Sequence, residues 1–118
     1  MIFMRELNKI ERRKIKALIN ISIPDYIHES DDKKFDLLYC YEIGFMFAHD
    51  LLKNHKIDPR FSPWGDGDSV IFDSYYVEKL QNLLSANLSK EMNEYCQTYL
   101  DALEVFKAHF GIGDEYEK

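Results

Sequence analysis

The longest apolar-rich run of the chain is Phe35 to Leu52, FDLLYCYEIGFMFAHDLL, and its spacing is helical. At about 100° per residue, Leu37, Leu38, Tyr41, Gly44, Phe45, Ala48, Leu51 and Leu52 fall on one wide arc, which predicts the core face of a helix. Phe35, Tyr39 and Met46 lie outside that arc, among Asp36, Glu42, His49 and Lys53. A helix with large apolar side chains on its nominally polar side must be covered from more than one direction, which predicts a central position for it. Gly44 and Ala48 are four residues apart on the arc, so a neighbouring backbone is expected to approach closely there. That approach offsets the roughly 1 kcal/mol by which a mid-helix glycine is less favourable than alanine.

Three further segments have helical patterning. Asn8 followed by Glu11 reads as a capping box, and Ile10, Ile15, Leu18 and Ile19 form an apolar stripe behind it, predicting a helix over about 8–20. Residues 21–32 combine Pro24 with several acids and predict a connection with at most one helical turn after the proline. Asp31 and Asp32 are then expected to place negative charge at the positive end of the 35–52 helix. Beyond Lys53 and Asn54, Pro59, Pro63, Gly65 and Gly67 break any regular pattern and predict one long surface loop holding Trp64, the only tryptophan. Ser69 to Phe72 is a short β-branched run suited to one extended segment. Asp73 or Ser74 then caps a helix bearing Tyr76, Val77, Leu80, Leu83 and Leu84 that ends near Ala86. A last helix, after residues 87–89, carries Met92, Tyr95, Cys96, Tyr99, Leu103, Phe106 and Phe110 on one face. Gly111 is expected to end it in the left-handed cap position, with Ile112 against Phe106 and a frayed tail beyond. The fold class these patterns predict is all-α: a single four-helix-bundle-like domain with one long Pro/Gly-rich surface loop and at most one short extended segment.

Composition fits that picture. A chain of 118 residues with 46% hydrophobic and 31% charged positions can bury a core without disulfides. No run is apolar enough to span a membrane, and the start MIFMRELNKIERRK lacks the order of a signal peptide, so a cytoplasmic location is expected. Cys40 and Cys96 fall on apolar helix sides and read as two reduced, buried thiols, without the clustering that a zinc site needs.

Charge changes the picture more. The net charge of −6 divides into +4 over residues 1–20 and −10 over the rest. Such an acidic body repels nucleic acid and anionic lipid and attracts a basic partner. The basic face of the first helix, Lys9, Arg12, Arg13 and Lys16, has no aromatic side chains for stacking bases, and is expected to lie satisfied against the acidic body.

Candidate chemistry is sparse. Asp66, Asp68 and Asp73 suggest calcium, but a helix-loop-helix calcium site counted from Asp66 needs Gly and Glu where Ile71 and Val77 stand. No phosphate-binding glycine loop, nucleophile elbow or His-Glu-x-x-His spacing is present. A His, then a His-Asp pair, then a later Asp is another matter. In that order, HDLLK at 49–53 resembles the central motif of the HD-type metal-dependent phosphohydrolases. The resemblance implies a divalent metal held by His28, His49, Asp50 and Asp101 to activate water. Asp101, however, lies nearly opposite the Met92/Tyr99/Leu103 face, so a regular helix points it to solvent and away from His49.

The function expected from these features is a small acidic binding protein, not an enzyme, that neutralises another protein by occluding a basic site. An immunity protein for a secreted toxin, or a phage-type inhibitor, acts in this way. A structural or adaptor subunit of a complex is the alternative, and an HD-like phosphohydrolase the third. No catalytic residue, metal or cofactor is assigned, and the partner is a basic protein, not a nucleic acid or a membrane. The residues expected to bind it are Phe61, Trp64, Asp66 and Asp68 of the long loop, with Asp31 and Asp32. Trp64 folding back over the 35–52 helix is the competing reading of that loop.

Overall fold

The computed structural model describes residues 6–30, 36–54 and 74–110. They form five helices: α1 (Lys9–Asn20), α2 (Asp25–Glu29), α3 (Leu37–Asn54), α4 (Ser74–Ala86) and α5 (Lys90–Phe110). No strand occurs among the described residues, and the helices share one hydrophobic core. The all-α class and four main helices are as the patterning predicts. The 55–73 loop, the Ser69 to Phe72 segment, Asp73 and the Gly111/Ile112 cap lie outside the described residues.

Local chemistry sets the helix ends. The α1 capping box is present in full: the Glu11 amide donates to Asn8 Oδ1 at 2.8 Å and the Asn8 amide to Glu11 Oε1 at 3.0 Å. Pro24 precedes a five-residue α2, and its carbonyl accepts from the Ile27 amide at 3.0 Å. The start of α3 is served by Asp36, whose Oδ1 accepts from the amides of Leu38 at 3.0 Å and Tyr39 at 3.2 Å. Asp31 and Asp32, expected to place negative charge at this end of the helix, lie outside the described residues. Asn87, at φ 51°, makes the left-handed turn between α4 and α5, and Ser89 Oγ accepts from the Met92 amide at 3.0 Å to cap α5.

Two stripes differ from expectation. On α1 the buried residues are Glu11, Ile15 and Leu18, while Ile10 is 63% exposed. Residue 10 lies about 100° from residue 11 around the helix, so it cannot share a stripe whose registration is set by burying Glu11. On α3 the buried arc is Leu37, Cys40, Tyr41, Ile43, Gly44, Phe47, Ala48 and Leu51, while Leu38, Phe45 and Leu52 are only half-buried. The helix is apolar almost all round, so hydropathy alone could not choose between adjacent arcs. Packing against α1 and α2, together with the rings of α5, chooses.

Contact with the α5 rings also revises the role of Gly44. The hydroxyl of Tyr99 occupies the place a Cβ on Gly44 would take, and the ring Cζ lies 2.8 Å from it. Tyr99 Oη donates to the Cys40 carbonyl at 2.5 Å. The glycine therefore makes room for an aromatic side chain, not for a neighbouring backbone. Helices α3 and α5 are separated by a layer of rings, with Tyr41 against Tyr95 and Tyr99, and Phe47 edge-on to Phe106 at 5.6 Å between ring centroids. Helix α5 packs on α1 and α4 and meets α3 through this layer, so it shares the centre that the sequence assigned to α3 alone.

Candidate functional site

The residues expected to contact a partner, Phe61, Trp64, Asp66, Asp68, Asp31 and Asp32, all lie outside the described residues. What the structure describes is the helix from whose two ends those segments run. Helix α3 has 18 residues and is about 27 Å long. Its outward stripe is Tyr39, Glu42, Met46, His49 and Lys53, at steps of three and four, and all five are exposed. Tyr39 is 44% and Met46 40% exposed, which is unusual for large apolar side chains on one line. Beside the stripe runs an open groove of about 330 Å³ lined by Tyr41, Glu42, Phe45 and Met46. Phe45 forms one wall and packs edge-on against the His49 ring at 4.6 Å.

Under the groove lies the tyrosine layer. Tyr41 is 6.0 Å from Tyr95 and 6.5 Å from Tyr99, and Tyr76 stands edge-on to Tyr99 at 5.6 Å. Burial raises the pKa of Tyr41, Tyr76, Tyr95 and Tyr99, because a phenolate has no water to solvate it there. Only Tyr99 has a good acceptor. The hydroxyls of Tyr76 and Tyr95 are neighbours, but neither has a partner at hydrogen-bonding geometry among the described residues. Cys40 and Cys96 are free and buried, as expected, and burial pushes the Cys96 thiol up to about 11. A thiol so held is not a nucleophile near neutral pH.

The HD-like set is not brought together. His28 is exposed on α2, His49 is exposed on α3, and Asp101 accepts from Gln97 Nε2 at 2.9 Å on α5. No three His, Cys, Asp or Glu side chains among the described residues converge to hold a metal ion. The structure joins one pair that the sequence did not suggest: Glu11 Oε2 and His109 Nε2, 3.8 Å apart and both buried. Glu11 sits in the first turn of α1, where the helix dipole favours its negative charge, and His109 sits in the last turn of α5, where the dipole would favour a protonated ring. The capping-box position of Glu11 was legible, but nothing in the pattern marked His109 as its neighbour.

The basic face of α1, Lys9, Arg12, Arg13 and Lys16, makes no close pairing among the described residues, and the pairing to α5 runs instead through Lys14 and Glu104 at 3.6 Å. No helix among the described residues is long and apolar enough to cross a membrane. No family model matches this chain, and no curated protein or solved structure matches it.

Proposed function

We propose that this chain is a stoichiometric binding protein that acts in the cytoplasm and neutralises a basic protein by covering its functional site, as an immunity protein or a phage-type inhibitor does. The observation that carries this reading is the segregation of charge. Beyond residue 20 the chain carries −10, and Asp25, Glu29, Glu78, Glu91 and Glu94 are all exposed. An acidic surface of this kind steers a cationic partner into encounter faster than diffusion alone, with a rate that falls as salt rises. Trp64, flanked by Pro63 and Gly65, supplies the type of side chain that anchors such interfaces.

The test is co-expression with the toxin-like product of a neighbouring gene, followed by calorimetry on the purified pair. A one-to-one complex that restores growth supports the proposal, and an absence of both protection and complex overturns it. Within the complex, Trp64→Ala is expected to cost about 2 kcal/mol or more of binding with the melting temperature unchanged. Early melting with normal binding would instead make Trp64 part of the fold. A second reading, a structural or adaptor subunit, is favoured by the exposed Tyr39 and Met46 on α3.

A further inference from the structure

The outward stripe of α3 has a symmetry in its chemistry. Met46 lies at its middle, with Tyr39 seven residues before it and Lys53 seven after, and with Glu42 four before and His49 three after. The acid and the exposed ring occupy one half, and the two basic side chains the other. Turned end for end, the stripe is its own complement. A second copy of the helix laid antiparallel across it sets Met46 against Met46, Tyr39 against Lys53, and Glu42 between His49 and Lys53 of the other copy. At 1.5 Å rise per residue, Tyr39 and Lys53 each stand about 10.5 Å from Met46, so the two copies come into register together.

We infer that this face of α3 is the isologous interface of a homodimer. Three observations point to a second copy and away from the basic target proposed above. The stripe is not uniformly acidic, since Lys53 would oppose a cationic surface. Among the described residues, neither Glu42 nor Lys53 forms an ion pair. The apolar part, Tyr39 and Met46 with half-buried Phe45 at the groove wall, lies in the middle and at one end, where antiparallel pairing covers it twice. A two-fold interface needs only such a self-complementary patch. Lysine over the face of a tyrosine adds a cation–π contact at each end. Five positions over about 21 Å of helix make a small interface, which suits a weak dimer and leaves other surfaces free for a target.

Sedimentation equilibrium of the full chain from about 1 μM to about 1 mM tests the inference, with a monomer–dimer equilibrium expected in that span. Met46→Glu places two like charges at the two-fold axis and is expected to weaken the dimer by about tenfold or more. Glu42→Lys is expected to weaken it similarly, because like charges then face each other across the interface. The double variant Glu42→Lys with Lys53→Glu restores opposite charges and is expected to return the dissociation constant to within roughly threefold of the wild type. A wild-type chain that remains monomeric at the highest concentration overturns the inference, as does a double variant no better than the single one. A Met46→Glu chain that still dimerises, yet melts more than about 5 °C early, also overturns it, because the face is then covered from within the chain.

Discussion

The inner and outer faces of α3 both carry large apolar side chains, and these have opposite fates. Inside, Cys40, Phe47, Ala48 and Leu51 are fully buried and Gly44 admits the Tyr99 ring. Outside, Tyr39 and Met46 are 44% and 40% exposed, and the half-buried Phe45 stands between the two faces. Phe47 and Met46 are adjacent and both strongly apolar. What separates them is their surroundings: residue 47 is fully buried and meets the edge of Phe106, whereas residue 46 is 40% exposed. Hydrophobicity brings the helix to the core, and complementarity with α1, α2 and the rings of α5 decides which side of it is buried.

The sharpest way to break this comparison is to remove the notch on the inner face. Gly44→Ala improves helix propensity by about 1 kcal/mol, but its methyl group would occupy the space of the Tyr99 hydroxyl. Overpacking against a ring hydrogen-bonded to the same helix is expected to dominate, for a net loss of about 2 kcal/mol in urea denaturation. A stabilised variant would show that α3 and α5 are not held in this register.

The tyrosine layer makes the inner face sensitive to alkali. The folded-state pKa values of Tyr41, Tyr76, Tyr95 and Tyr99 are raised, and that of Cys96 moves from 9.0 to about 11. The unfolded chain therefore loses these protons first as pH rises. Their contribution is complete below pH 9.0 and declines above it, with the Cys96 share lost by about pH 11 and the tyrosine share declining from pH 10.0 upward. Each group costs up to about 1.4 kcal/mol per pH unit within its window. Unfolding free energies measured at successive pH values should fall steeply above 10, and a flat profile would mean that water reaches the layer.

A smaller effect separates the hydroxyls. Tyr95→Phe removes a buried hydroxyl that, beside the Tyr76 hydroxyl, has no partner at hydrogen-bonding geometry among the described residues, and is expected to stabilise by about 1 kcal/mol. Tyr99→Phe removes a hydroxyl that donates to the Cys40 carbonyl and is expected to destabilise by about the same amount. Thermal melts of the two variants should move in opposite directions. Smallest of all, Met46→Glu on the outer face should change monomer stability by no more than about 0.5 kcal/mol.

By itself, the sequence determined what depends on neighbours along the chain. The capping box of Asn8 and Glu11, the short turn after Pro24, the α4 span from Ser74 to Ala86 and most of the buried face of α5 follow from spacing and local hydrogen bonding, which a linear pattern records. Tertiary structure decided what depends on facing surfaces. It turned the α3 arc toward Ile43 and Phe47, sent Ile10 to solvent, filled the Gly44 notch with Tyr99 and joined Glu11 to His109. The α3 arc is chosen among positions of nearly equal hydropathy, and Ile10 is exposed while its charged neighbour Glu11 is buried. The other two choices join residues 55 and 98 positions apart, where shape and charge across a contact carry the information and periodicity along one helix carries none.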